Sequence, residues 1–166
     1  MKSTGSVVAV TSSAFEDGQP IPKKFTEDGE NLSPALAWIY APKGTKQWAL
    51  ICDDPDAPTP QPWVHWVIYL IPGEIRSLPQ GVEPAEALVQ LGGAMQGKNS
   101  WPSGQTIGYR GPAPPKGHGV HHYHFKLYAL DTVLSLKPEA SKQELEKAIE
   151  GHVMATGELV GTYERK

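Results

Sequence analysis

The clearest periodicity in the chain runs from His121 to Leu130. His121, Tyr123, Phe125, Leu127 and Ala129 share one face, and His122, His124, Lys126, Tyr128 and Leu130 share the other. A period of two is the signature of a strand with two unlike faces. The first face is the more apolar, so it is expected to meet the core, with His121 and Tyr123 together at its N-terminal end. Val64–Ile71 is instead an almost unbroken apolar run, limited by Pro62 before it and Pro72-Gly73 after it. Its length and β-branched and aromatic content predict a strand buried on both faces. Shorter strands are predicted at Ser6–Thr11, Ala35–Tyr40, Gln47–Cys52 and Glu158–Tyr163. Ser141–Ile149 reads as a helix: Ser141 and Glu144 form a capping-box pattern, Leu145, Ala148 and Ile149 supply one apolar face, and Gly151 begins the stop. Residues 12–34, with Gln19-Pro20-Ile21-Pro22, read as a shaped loop. Residues 73–120 show little periodicity. The stretch Gly92–Gly119 is long for a loop, and its Trp101, Ile107 and Tyr109 favour packing over disorder. Many strands, long loops and one late helix predict a mainly β fold, a β-rich α+β domain.

Composition narrows the function more than the fold. The 166 residues suit a single domain, 1–166. The 17 Gly and 16 Pro have no collagen period, so they point to turns and shaped loops. A net charge of −3 without any long basic run argues against nucleic-acid binding. Cys52 is the only cysteine, so no intrachain disulfide forms and nothing ties the chain to an oxidising compartment. Met1–Val10 lacks the apolar core and cleavage site of a secretory peptide, and no apolar run is long enough to span a membrane. The expectation is a cytoplasmic protein.

Candidate chemistry concentrates in Asp53–His65, D-D-P-D-A-P-T-P-Q-P-W-V-H, and Gly108–Tyr123, G-Y-R-G-P-A-P-P-K-G-H-G-V-H-H-Y. Aspartates in a proline turn commonly cap local amides, and a lone histidine in an apolar run is ordinarily a core residue. By parity, His65 shares a face with Trp63, Val67 and Tyr69. If the loop folds back, Asp54 meets the His65 imidazole, fixes its tautomer and raises its basicity, making it a donor to an anion. Ala57-Pro58 is a candidate cis peptide. A zinc site among His118, His121, His122 and His124 is weakened because His121 faces away from His122 and His124. No G-x-S-x-G elbow, dinucleotide fingerprint or P-loop occurs. These features favour a small anion-binding cavity, with no catalytic residue, metal or cofactor.

With both stretches in view, the chain resembles the phosphatidylethanolamine-binding protein family, also called the Raf kinase inhibitor protein family, and within it the bacterial and archaeal branch. The motifs are D-P-D-A-P at Asp54–Pro58, W-V-H at Trp63–His65, G-Y-R-G-P-x-P-P at Gly108–Pro115 and H-H-Y at His121–Tyr123. The likeness continues through L-Y-A-L-D at Leu127–Asp131 and G-H-x-x-A-x-x-E-L-V-G-T-Y at Gly151–Tyr163. The resemblance implies an antiparallel β-sandwich with short peripheral helices and a surface cavity for phosphate or phosphoryl headgroups. It implies that Asp54, His65, His121 and Tyr123 line the cavity, that Trp63, Pro58 and the Gly111 backbone shape its walls, and that Ala57-Pro58 is cis. It further implies a phosphorylated small-molecule ligand, a homodimer and, by analogy only, regulation of a partner such as a kinase or protease.

This chain departs from the family pattern in three places. Ala113 stands where the bacterial branch often has cysteine, and His122 where arginine is common. With only three residues given after Tyr163, the helix that borders the cavity in animal members is expected to be missing, and the expected cavity is either more open or closed by a second subunit. The leading expectation is a non-enzymatic binding protein. The alternatives are a hydrolase or lyase using Asp54, His65 and His121 as acid and base, and an interaction module whose Pro112–Pro115 segment engages a partner.

Overall fold

The computed structural model describes residues 7–166. Its strands are β1 (Ala9–Thr11), β2 (Leu36–Ile39), β3 (Gln47–Asp54), β4 (Trp63–Pro72), β5 (Ser77–Leu78), β6 (Ala87–Leu88), β7 (Ala94–Gln96), β8 (His121–Leu130) and β9 (Val153–Tyr163), with one α-helix, α1 (Lys142–Ile149). They form a six-stranded sheet of order β6-β7-β4-β3-β8-β9 and a three-stranded sheet of order β1-β2-β5. Every strand pair in both sheets is antiparallel. The fold is mainly β.

Alternation decides which side chains enter which layer. Trp48, Leu50 and Cys52 of β3, Trp66 and Ile68 of β4, and Phe125, Leu127 and Ala129 of β8 face the smaller sheet, where Val10, Leu36, Trp38 and Leu78 meet them. Trp38 and Trp48 pack across the two sheets with ring centroids 5.6 Å apart. The opposite face of β3 and β4 carries Ala49, Ile51, Val64, Val67 and Tyr69 against Leu145 and Ile149 of α1. Thus β3 and β4 are buried on both sides, as the apolar run in β4 predicts, and β8 has the expected core face. The α1 cap is as read: Ser141 Oγ accepts from the Glu144 amide at 3.0 Å, and Glu144 accepts from the Ser141 amide at 2.9 Å.

Several elements differ from expectation. The expected Ser6–Thr11 strand is shorter, and its Ser6 end, like most of Met1–Val10, lies outside the described residues. The last strand starts at Val153 rather than Glu158. Its early half carries Gly157, whose missing side chain weakens the strand signal but is required: a Cβ there would run into the Val8 carbonyl. The brief strands β5, β6 and β7 are too short to show a period, and all three lie in the first half of residues 73–120. No described peptide bond is cis, so Ala57-Pro58 is trans, contrary to expectation. The reversal is made by hydrogen bonds instead: Asp54 Oδ1 accepts from the Asp56 amide at 2.8 Å, and the Ala57 carbonyl from the Thr59 amide.

Candidate functional site

Because β4, β3 and β8 are antiparallel neighbours, the end of β3 and the starts of β4 and β8 lie at one edge of the sheet. That edge places Asp54, His65, His121 and Tyr123 around a cavity of about 200 Å³. This is smaller than the roughly 300–1,000 Å³ typical of drug-sized ligands. Trp63 and Pro58 also line it. So do Trp101, Ala113, Pro114 and Pro115, from the long segment between β7 and β8.

His65 reaches the cavity through a β-bulge. Cys52 pairs with Trp66, but Asp53 pairs with Val64, leaving His65 as the extra residue on β4. A bulge re-aims side chains that strict alternation would place elsewhere. Strict parity assigned His65 to the Val67 and Tyr69 face; the bulge moves it to the side of Tyr123. The ring is 3% exposed and packs edge-on against Tyr123 and Trp101, at 5.1 and 5.2 Å between centroids.

The expected pairing of Asp54 with His65 is not made. Asp54 Oδ2 accepts from His121 Nδ1–H at 2.7 Å, with both groups buried. His121 and Asp54 lie side by side at the ends of adjacent strands β8 and β3, so no loop reversal is needed. His65 Nδ1–H instead donates to the Arg110 carbonyl at 2.6 Å. Burial pushes the His65 imidazole below its ordinary pKa, outweighing the Arg110 hydrogen bond and the Asp54 charge that favour the cation. This reverses the expected direction. Burial, then the Asp54 charge, pushes the Tyr123 phenol up, so it stays a neutral O–H.

The G-Y-R-G motif is a scaffold for this arrangement. Tyr109 is buried and donates its hydroxyl to the Phe25 carbonyl at 2.7 Å. The Arg110 guanidinium turns onto Glu27 at 3.0 Å and lies 4.5 Å over the Trp101 ring. Gly111 does not reach the cavity: its amide donates to Asn31 Oδ1 at 2.7 Å, and a Cβ there would meet the Phe25 carbonyl. The motif acts on the site in two places, at His65 through the Arg110 carbonyl and at Trp101 through the Arg110 guanidinium.

Two histidines play roles that spacing does not reveal. His118 Nδ1 lies 2.7 Å from His121 Nε2, making a carboxylate–imidazole–imidazole chain from Asp54 to the exposed His118. His122 pairs with Asp56 at 2.7 Å and ties the D-P-D turn to the start of β8. Burial alone would raise the Asp56 carboxyl, but the hydrogen bonds from His122 hold it below its ordinary value. Trp101, expected only to pack the long loop, lines the cavity. Nothing in its spacing connects it to His65, because the loop that carries it is placed by tertiary contacts such as Ser100 N–H to the Val64 carbonyl, 2.9 Å. Cys52 is buried, and burial pushes its thiol well up, which makes it a core residue.

A family model described as phosphatidylethanolamine-binding protein matches residues 11–164. The chain belongs to the phosphatidylethanolamine-binding protein family. Among relatives, a UPF0098 protein of Methanothermobacter thermautotrophicus is 51% identical over 152 residues, covering 92% of this chain and 95% of that one. Two crystal structures are similar throughout. The family homolog CT736 of Chlamydia trachomatis has a TM-score of 0.84 at 37% identity, covering 98% of this chain and 100% of its own. Escherichia coli YbcL, described as a new member of the mammalian family, has a TM-score of 0.87 at 32% identity, covering 96% of this chain and 99% of its own. These likenesses support the bacterial and archaeal branch of the family.

Proposed function

We propose that this protein is a non-enzymatic binding protein that holds a small oxyanion, a phosphate or phosphoryl headgroup, in the cavity at the β3/β4/β8 edge. The observation that carries this reading is the convergence of Asp54, His65, His121 and Tyr123 on one hollow between apolar walls. The Tyr123 hydroxyl and a protonated imidazole are donors suited to oxyanion oxygens. Apolar walls of tryptophan and proline exclude water and strengthen such bonds. The volume admits a phosphoryl group with a short substituent and excludes a large ligand. The buried thiol of Cys52 and the full engagement of Asp54 argue against nucleophilic chemistry at this site.

Isothermal titration with phosphoethanolamine and with inorganic phosphate, at about pH 6 where histidine is partly protonated, tests the reading. Binding to the wild-type chain and its loss in the double variant His65→Ala/His121→Ala is the expected result. Unchanged binding in that variant refutes the site. Turnover of a phosphoester panel, lost on Asp54→Asn, would instead make the protein an enzyme. Regulation of a partner protein, a homodimeric state and a cytoplasmic location complete the reading. Native mass spectrometry of freshly purified protein reports subunit number and any retained ligand together. Among the described residues no helix is long and apolar enough to cross a membrane.

A further inference from the structure

The hydrogen bonds around the cavity determine the charge of what it can hold. A carbonyl oxygen only accepts, so the Arg110 carbonyl keeps a proton on His65 Nδ1 in every protonation state. The neutral ring must then carry a lone pair at Nε2, which has no partner among the described residues. Asp54 is committed at both oxygens, to the Asp56 amide and to His121. His121 Nε2 is matched to His118. The Thr59 hydroxyl is spent on the Gln61 carbonyl. No lysine or arginine lines the cavity, and the nearby Arg110 guanidinium faces Glu27 and Trp101.

Among side chains, an anion entering with His65 neutral therefore meets one free hydroxyl donor, a bare imidazole lone pair and a buried carboxylate. That combination repels it. Adding a proton at His65 Nε2 turns the lone pair into a charge-assisted donor. It also adds one positive charge, enough to offset one negative charge. A second negative charge would stay unpaired among tryptophan and proline, where desolvation is costly.

We propose that the cavity selects a singly charged oxyanion, such as a phosphodiester or carboxylate, over a phosphomonoester dianion, and takes up one proton on His65 Nε2 as the ligand enters. This rests on the cavity being the anion site. The titratable and charged groups around His65 are Asp53 and Asp54 from β3, His121 and Tyr123 from β8, and Glu27 with Arg110 from the flanking loops. Burial keeps the imidazole neutral near physiological pH when nothing is bound, so the proton must arrive with the ligand.

The test is calorimetric titration of the full chain with methyl phenyl phosphate, which has no proton to lose near neutral pH. At about pH 7.5, buffers of different ionisation enthalpy report the proton count. About one proton absorbed per ligand is expected, with affinity weakening by up to about tenfold per pH unit above neutrality. Phenyl phosphate, whose second ionisation lies near about pH 6, is expected to bind more weakly than the diester at about pH 8. Zero uptake by the wild-type chain, or a dianion bound as tightly as the diester, overturns the inference. The variant His65→Gln carries an amide that cannot titrate, so its proton count should fall to near zero. Persistent uptake there would place the proton elsewhere and overturn the assignment to His65. The wild-type proton count stands even if that variant does not fold. A silent diester beside bound phosphate defeats this inference alone, whereas failure of every oxyanion defeats the cavity reading itself.

Discussion

One extra residue in β4 places His65 in the cavity, and one carbonyl determines which of its nitrogens is free. The same residue shapes the stability of the empty protein. The folded imidazole titrates below the unfolded one, whose pKa is about 6.5. Between the folded pKa and about 6.5 the unfolded chain binds more protons, so folding stability falls as pH drops through that interval and is fully present above it. Urea unfolding from about pH 7.5 to about pH 5 should show this loss, and His65→Gln should flatten it. A wild-type curve of unchanged slope beside the variant's would remove His65 as the cause. The Asp54–His121 pair is a separate matter, since breaking a buried pair leaves one polar group unsatisfied. That is why His65→Gln, which leaves the pair intact, is the cleaner probe.

At the scale of elements, β9 shows how a strand can hide in sequence. It pairs with all of β8 on one side. Its other edge is covered by short stretches, with the Val8 amide donating to the Thr156 carbonyl at 2.9 Å and the Ile21 amide to the Thr162 carbonyl at 2.7 Å. Gly157 and Gly161 give these stretches room: a Cβ at the first would strike backbone, and at the second the side chains of Ile21 and Phe15. Gly157→Ala is expected to destabilise the fold by about 1–3 kcal/mol, because a carbonyl cannot rotate out of the way. Chemical denaturation measures it; a loss below about 0.5 kcal/mol would mean the N-terminal stretch moves away freely. Helix α1 is the opposite case, legible from its cap and apolar stripe, because both signals are local.

At the scale of the whole molecule, the C-terminal residues secure the cavity rim. Arg165 pairs with Asp28 at 2.8 Å, and its carbonyl accepts from the Gly117 amide at 2.8 Å. Its guanidinium also reaches the carbonyl of Pro114, a cavity-wall residue, at 3.4 Å. The Arg165 side-chain hydrogen bond, then that of Tyr163, holds the Asp28 carboxyl below its ordinary value. The stability from this pair is therefore present above about pH 3.9 and lost as pH falls through the lower folded value. For a pair this exposed it is worth no more than about 1 kcal/mol. Arg165→Ala should leave global stability nearly unchanged while speeding amide exchange at residues 117–118. Unaltered exchange there would mean the rim holds itself.

What the sequence determined by itself is whatever depends on neighbours along the chain. The alternation of β8, the two-sided burial of β4 and the cap of α1 follow from periods and local hydrogen-bonding residues, and the motifs from Asp54 to Tyr123 were enough to name the family. What only the tertiary structure decided is who faces whom at the site. Asp54 meets His121 rather than His65 because the His121 Nδ1–H reaches it across the β3/β8 pair, whereas His65 Nδ1–H is turned onto the Arg110 carbonyl. His65 enters the cavity because a bulge, invisible to parity, inserts one residue into β4. Gly111 withdraws while Trp101 and His118 arrive, since a long loop takes its course from the surfaces it packs on. Residue types and periods are local quantities, but pairing between strands is not, and the charge balance of this cavity is a property of the pairing.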